Sequence, residues 1–433
     1  MTRVEPAILA QSVPLTARAG AAFDEHGIPP PVGLATFASL RHREFRLLWM
    51  GTCFMSAGQW IQQVTLGWLV YDLTSSAALL GVLGAVRALP FLIVSPTAGV
   101  LADRVDRRVI ILSAESFLVA AALAMGVVVV SGQLAVWHLF VFTIATGIAW
   151  SFNQPARMAL VPNLVPEHDL MNAIALNSLG FNLTKVIGPS LGGLLIYFFG
   201  AGGNFFVQAS AYLAVLVVVY LMRVPPTPSL AGSESVLENL REGLAYIRAT
   251  PTVLALLSLT LIPSMLALPY MSLLPVFAKD VLGLGPDALG LMLGAPGLGA
   301  MVSTLLVASY AHRVERRGPY LLGALVLLGI SLMLFSQTTH LPYALAALFG
   351  VGACHIFFGS ITNAIIQQVI PDELRGRVTS IYMLEFGLTP AGTLLAGATT
   401  QGFGGPITVA MMGLSVLILA LVVTWRFPEV RRI

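Results

Sequence analysis

Long apolar runs alternate with short polar gaps along almost the whole chain. Twelve of the runs are roughly 17 to 25 residues long, the length at which a helix crosses the hydrocarbon of a bilayer. They predict transmembrane helices over residues 46–71, 78–101, 108–130, 136–154, 172–199, 204–222, 252–275, 287–310, 319–337, 343–365, 377–400 and 406–426. The gaps differ in charge. Of the 23 Lys and Arg residues, 20 fall in the N-terminal tail (Arg3, Arg18, Arg41, Arg43, Arg46), in every second gap, or at the C-terminus (Arg426, Arg431, Arg432). The opposite gaps hold only Lys279, while Arg87 and Lys185 lie inside runs. Basic loops stay on the cytoplasmic side. The pattern therefore predicts both termini inside, as an even number of crossings requires.

The one long internal connection, 223–250, follows the sixth run. Within it Leu237, Leu240, Leu244 and Ile247 recur at helical spacing, with Glu238, Arg241, Glu242 and Arg248 between them. That pattern predicts an amphipathic helix lying on the cytoplasmic surface. It divides the chain into a tail (1–45), a six-helix half (46–222), the linker (223–250), a second half (251–426) and a short tail (427–433). The halves repeat. Residues 102–108 read Ala-Asp-Arg-Val-Asp-Arg-Arg and residues 311–317 read Ala-His-Arg-Val-Glu-Arg-Arg, identical at five of seven positions and 209 residues apart. Leu164-Val-Pro-Glu-His-Asp-Leu170 has its counterpart in Val369-Ile-Pro-Asp-Glu-Leu374, and Gly188-Pro-Ser-Leu-Gly-Gly193 in Gly392-Thr-Leu-Leu-Ala-Gly397. Two related bundles are one internal symmetry of secondary transporters.

Composition agrees with lipid as the solvent. The chain is 57% hydrophobic and 10% charged with mean hydropathy +0.86, against about 25% charged in soluble domains. Net charge is only +3, and the arginines are spread along the cytoplasmic rim, where anionic headgroups attract them. No nucleic-acid partner is expected. Cys53 and Cys354 lie inside runs, with neither a disulfide framework nor metal-ligand spacing. The Pro/Ala/Gly-rich first 45 residues read as a disordered cytoplasmic tail. Nucleotide loop, nucleophile elbow and metal cluster are all missing from the sequence. An enzyme is the least favoured class, and no metal or cofactor is expected.

Residues 99–108, Gly-Val-Leu-Ala-Asp-Arg-Val-Asp-Arg-Arg, resemble the signature loop of the major facilitator superfamily, with Asp106 where that loop has a glycine. Gly188, Pro189, Gly192 and Gly193 are similar to the core of the motif of its proton-coupled exporters, although Thr184 and Ala175 replace two of that motif's glycines. The stretch 153–162, with 172–178 and Phe181-Asn182, resembles the branch that holds the enterobactin exporter. The resemblance covers about residues 40–428. It implies an all-α membrane protein: twelve transmembrane helices in two pseudo-symmetric six-helix bundles that rock about a midplane site. It also implies a monomer in the bacterial cytoplasmic membrane that works on a small molecule, protons and membrane lipids. In the family the signature loop latches the halves when the protein is open to the outside. That role carries over to Asp103, Arg104 and Arg107, with Gly99, Arg108, Arg157 and the Gly188, Pro189, Gly192, Gly193 bend assisting. The alternatives are a topological anchor for the loop and ordinary helix packing for the bend. His312 replaces the aspartate in the second copy, which predicts a weaker or pH-sensitive latch there.

Charges inside a bilayer default to pairing or function. Glu385 in the eleventh run is the first candidate for proton coupling, the alternative being a static pair with an arginine. Glu115 in the third is a second, with a structural pair to Arg157 as its alternative. Arg87 and Lys185 face the choice between an anionic substrate and a balancing carboxylate. The resemblance places the cavity on the first, fourth, seventh and tenth helices. Gln59, Trp60 and Gln63, with Tyr270, His355, Phe358 and Asn363, are the residues there that suit a large, partly apolar ligand. The amides could instead bond between helices, and His355 is either a core histidine or a third proton site. Three readings compete: a proton-driven exporter of drugs or siderophores, a lysophospholipid transporter of the same fold, and a non-transporting sensor or scaffold, which lacks a soluble domain. Orientation is directly testable. With Cys53 and Cys354 replaced by alanine, Ala311→Cys should react with an impermeant maleimide only from inside and Thr338→Cys only from outside; the reverse would invert the topology.

Overall fold

The computed structural model describes residues 35–223, 244–248, 250–310, 317–370, 378, 381 and 387–426, and of 35–36, 95–97, 99–104, 251–252 and 310 the backbone alone. Residues 1–34 of the expected tail 1–45, most of the amphipathic stretch, the second-copy loop 311–316, Glu385 and residues 427–433 lie outside the described residues; the rest of that tail is not disordered as expected, since Ala35–Arg41 form a 3-10 turn and the first helix already starts at Arg43. The chain divides into Met1–Ala38, whose residues 35–38 begin a 3-10 turn, and a body, Ser39–Ile433, that carries the helices.

Among the described residues the secondary structure is helical throughout. The helices are α1 (Arg43–Thr74), α2 (Ala77–Arg104), α3 (Arg107–Val130), α4 (Val136–Leu164), α5 (Glu167–Leu221), α6 (Pro251–Ile262), α7 (Tyr270–Val276), α8 (Pro286–Tyr310), α9 (Gly318–Ser336), α10 (Leu341–Val369), α11 (Thr389–Phe403) and α12 (Gly405–Arg426). Nine apolar helical stretches among the described residues are long enough to cross a membrane. Their lipid-facing surface is apolar, with Phe198 66%, Leu334 61% and Leu421 54% exposed. Hydrocarbon imposes no penalty on such exposure, whereas it forces backbone groups to bond within helices.

Two elements depart from simple helices. At 55 residues, α5 would be about 80 Å long at 1.5 Å per residue, far beyond a bilayer core of about 30 Å. Gly200, at φ 69° and ψ 171°, breaks it. The chain folds back there, so that the Asn204 amide donates to the carbonyl of Gly192 at 3.2 Å. A left-handed φ is where glycine costs nothing and other residues cost energy. The apolar stretch Val253–Val281 is broken differently. Pro263 ends α6 and Pro269 precedes α7, and π-helical turns at Pro263–Ala267 and Phe277–Val281 absorb the missing donors. Pro269 leaves the Met265 carbonyl without its usual i+4 donor, and that oxygen sits against Gly392 of α11.

Helix packing repeats along the chain. α2 packs on α4 as α8 does on α10, α3 on α4 as α9 does on α10, and α3 on α5 as α9 does on α12. The two sets meet along α2 with α11 and α5 with α8. Both seams are glycine crossings of nearly the same geometry. A Cβ built on Gly81 would stand 2.5 Å from the Thr393 carbonyl oxygen and 3.0 Å from the Gly397 Cα. One built on Gly290 would stand 2.5 Å from the Pro189 carbonyl oxygen and 2.9 Å from the Gly193 Cα. Gly290 follows Gly81 by the same 209 residues that separate the repeated loops. One apolar core spans α6 to α12, reaching across to Val64 and Ile196, and three smaller ones fill α1 to α5.

Valine at Gly81 or at Gly290 would drive a branched side chain into a facing carbonyl. Each is expected to lower stability in detergent by about 1–3 kcal/mol, the range for overpacking. Gly402→Ala, with nothing within 4 Å, should melt as wild type does. An unchanged melting curve for Gly81→Val would show that the crossing tolerates separation.

Candidate functional site

At one end the two helix sets are tied together. α1 ends at Ser75, which adopts a left-handed conformation and returns its N–H to the Tyr71 carbonyl. That turn presents Tyr71 and Asp72 to the end of the α7 region, where the Tyr71 hydroxyl donates to Asp280. Lys279 donates to Asp72 at 2.6 Å. Beside them Ser76 Oγ and the Ala78 N–H reach Gln401 Oε1 of α11 at 3.3 and 3.4 Å. The lysine and aspartate side chains are 34% and 47% exposed, so the pair is a weak, reversible tie of about 0–1 kcal/mol. Tyr71 and Asp280 stand 209 residues apart, at equivalent positions of the repeat.

Below this closure α1, α3, α4 and α5 share a buried polar network. Gln62 Nε2 donates to Thr146 at 2.9 Å, and its Oε1 accepts from Gln208 at 2.7 Å and from Tyr212 at 3.3 Å. Asn204 donates to Thr65 at 2.7 Å, and Thr184 to Ser56 at 2.6 Å. Toward the opposite end, Glu115 Oε1 accepts from Asn153 at 2.7 Å and lies 3.6 Å from Arg157 Nη2. Arg157 also donates from Nε to Asn153 at 3.0 Å and from Nη1 to Thr52 at 3.3 Å. Glu115 is 0% and Arg157 3% exposed, which leaves the carboxylate no route to water in this conformation.

Between the helix sets lies a cavity of ≈ 80 Å³. Gln63 (α1), Arg87 (α2) and Thr143 (α4) supply its polar wall on one side, and Ser272 (α7) on the other. The rest of its lining is apolar, including Leu80, Leu83, Met271 and Leu289. Lys185 sits where α5 meets α8, its carbonyl 3.4 Å from a Cβ built on Gly297. His355 is half-buried on α10. No side chain among the described residues pairs with Arg87 or Lys185; the five ion pairs lie elsewhere.

The remaining sequence candidates are dispersed. Gln59 and Trp60 are half-buried, with Trp60 packed on Gly188. Tyr270 and Phe358 belong to the apolar core of α6 to α12, Tyr270 stacking edge-on to Phe335 at 6.4 Å. Asn363 is exposed. Gly188, Pro189 and Gly192 are buried in α5, and Gly193 forms the α5–α8 crossing. In the span 2–3 loop, Asp106 caps α3 by accepting from the Arg108 N–H at 2.8 Å. Arg107 donates to the Ala159 carbonyl at 2.8 Å and Arg108 to that of Tyr220, both near helix C-termini, where cations are favoured. The side chains of Gly99, Asp103 and Arg104 lie outside the described set. Sequence reasoning missed Asn153, Gln208 and Tyr212 as partners. It also missed Tyr71 with Asp280, which the 209-residue offset would have revealed.

Comparison with known proteins follows this geometry. A family described as transmembrane secretion effector, within the major facilitator group, matches residues 34–432. The chain is 26% identical over 389 residues to the multidrug efflux pump Tap of Mycolicibacterium fortuitum, covering 87% of this chain and 94% of that one. It is 26% identical over 371 residues to the staphyloferrin A transporter of Staphylococcus aureus, covering 84% and 91%. A solved bacterial homologue of the human lysosomal transporter Spinster, inward-facing and unoccupied, superposes with TM-score 0.71 at 16% identity, covering 90% of this chain and 98% of that one.

The Glu115–Arg157 cluster makes a graded prediction. Arg157→Met strands a buried carboxylate and should cost about 3–5 kcal/mol, whereas the double variant Glu115→Gln/Arg157→Met should recover much of the loss. Melting temperatures of the three proteins decide it. Strict additivity would mean that the pair is not coupled.

Proposed function

The chain belongs to the transmembrane secretion effector family of the major facilitator superfamily, and from that premise we propose that it exports amphiphilic small molecules in exchange for protons by alternating access. It is a multi-pass membrane transporter and not an enzyme. In this reading the two arms of α5 are two crossings and α6 with α7 is one, which brings the count to twelve. The crossings form bundles over 46–222 and 251–426, joined by 223–250, with both termini in the cytoplasm of a bacterial cell. The working unit is a monomer.

The observation that carries the reading is the pair of repeat-related glycine crossings, at Gly81 with Gly397 and Gly193 with Gly290, beneath an outer end tied by Tyr71–Asp280 and Asp72–Lys279. Two bundles joined along two related seams can rock about them. Weak ties at the outer end can part without large cost. The described state is then the inward-facing one, and the signature loop with Asp103, Arg104 and Arg107 engages in the opposite state. Relatives named as a drug pump and a siderophore transporter support export. Glu385 is assigned the coupling proton, because desolvation raises a carboxyl pKa and hydration lowers it as access alternates. Glu115, fully buried and bonded, is assigned a structural part. One observation favours a second reading, lipid movement. Apolar recesses of ≈ 490 Å³ between α8, α9 and α10 and of ≈ 500 Å³ between α3 and α4 open toward the acyl chains.

Proteoliposomes loaded with a pH dye separate these readings. Cationic dyes, a catecholate siderophore and a lysophospholipid are added singly. Substrate-dependent proton movement that disappears in Glu385→Gln is the expected result. Lysophospholipid transfer without proton movement would replace export with the lipid reading, and proton flux unchanged in Glu385→Gln would remove that residue from coupling.

A further inference from the structure

The described ionisable groups inside the membrane are unequal in sign. Glu115 is the one carboxylate placed within a membrane-spanning helix rather than at its end, and Arg157 and Asn153 already occupy it. Arg87 and Lys185 are both cationic and both lack a partner among the described residues. A cation in low dielectric is costly and is kept where something anionic meets it. Arg87 lines the cavity between the helix sets, and none of the described residues that line it is acidic. Gln63 and Thr143 stand beside it as neutral hydrogen-bonding groups. Lys185 is the second such cation, placed where α5 meets α8. Apart from Ser272 and two glycines, the rest of the cavity wall is leucine, methionine and proline.

We propose that the transported substrate is an amphiphilic organic anion, its carboxylate or phosphate received by Arg87 in this cavity and its apolar body lying along the leucine wall. At ≈ 80 Å³ the cavity holds the volume of about two to three waters, enough for an anionic headgroup and too little for a whole drug. The apolar body therefore extends beyond it. Cationic amphiphiles are disfavoured by the same guanidinium, since like charge in a low-dielectric site discriminates strongly. The proposal rests on the export reading for the word transported; the anion site itself does not.

Three probes that share one ring system test it: 2-naphthylacetate, 2-naphthylacetamide and (2-naphthylmethyl)trimethylammonium. Each is titrated calorimetrically into the purified full chain. The carboxylate should bind at least about tenfold more tightly than the amide, the scale of one charge-assisted hydrogen bond, and the ammonium weakest. Arg87→Gln should lose about tenfold for the carboxylate and little for the amide, and Arg87→Lys should restore part of the loss. Should Arg87→Gln fail to fold, Arg87→Lys and the wild-type order of the three probes decide. Tighter binding of the ammonium, no binding of the carboxylate, or unchanged carboxylate affinity in a folded Arg87→Gln would each overturn the proposal. Titration needs no transport, so the two readings fail separately. A protein that binds the carboxylate but moves no solute keeps the anion site and loses export. One that pumps only cationic dyes keeps export and loses the anion site.

Discussion

In hydrocarbon two helices gain nothing by hiding leucines from each other, so their association depends on how closely their backbones approach. The crossings of Gly81 with Gly397 and Gly193 with Gly290 are where this chain meets that constraint. Much of the remaining geometry follows from them. They bring the ends of α1 and α7 within reach, so Tyr71 finds Asp280 and Lys279 finds Asp72. They also fix the width of the space in which Arg87, Gln63 and Ser272 face one another. A bulkier residue at any of the four positions would widen that space and loosen these ties together.

The helix sets reach internal order by different means. α1, α3, α4 and α5 are held by side-chain hydrogen bonds, with Gln62, Gln208 and Tyr212 in one group and Glu115, Asn153 and Arg157 in another. Such networks fix one arrangement, since a slipped partner leaves a buried polar group unsatisfied. α6 to α12 are held by aromatic and aliphatic packing around Tyr270, Phe277 and Phe335. There the proline-interrupted α6–α7 stretch gives up regular helix bonding for π-turns. Apolar contacts slide at lower cost than directed ones, so the second set holds the more deformable wall of the cavity.

The sequence made the helices legible because lipid allows few other structures and loop charge sets their direction. The repeat was legible because Arg-rich loops preserve it. From that repeat the importance of Gly193 and Gly397 could be seen, although their partners Gly81 and Gly290 could not, since a lone glycine in an apolar run carries no sign of what it touches. Arg87 stood out as a charge in a span, and only the fold placed it beside Gln63. Tyr270 and Phe358 were expected at a ligand; aromatic residues on a cavity helix read the same whether they turn inward or pack, and here they pack. Arg157 read as a loop residue because its helix was expected to stop near 154. α4 continues to Leu164 and takes the guanidinium into the interior.

The repeat is uneven in one respect. α3 has 24 residues and its counterpart α9 has 19, a difference of about 7 Å in length. At about 28 Å, α9 barely spans a hydrocarbon layer of about 30 Å, while α3, at about 36 Å, must tilt or protrude. Hydrophobic mismatch therefore acts on the two sets with opposite sign. A thicker bilayer strains α9 and relieves α3; a thinner one does the reverse. Membrane thickness is thus a mechanical load applied unequally across the seams, and the lipid around the protein enters its conformational balance.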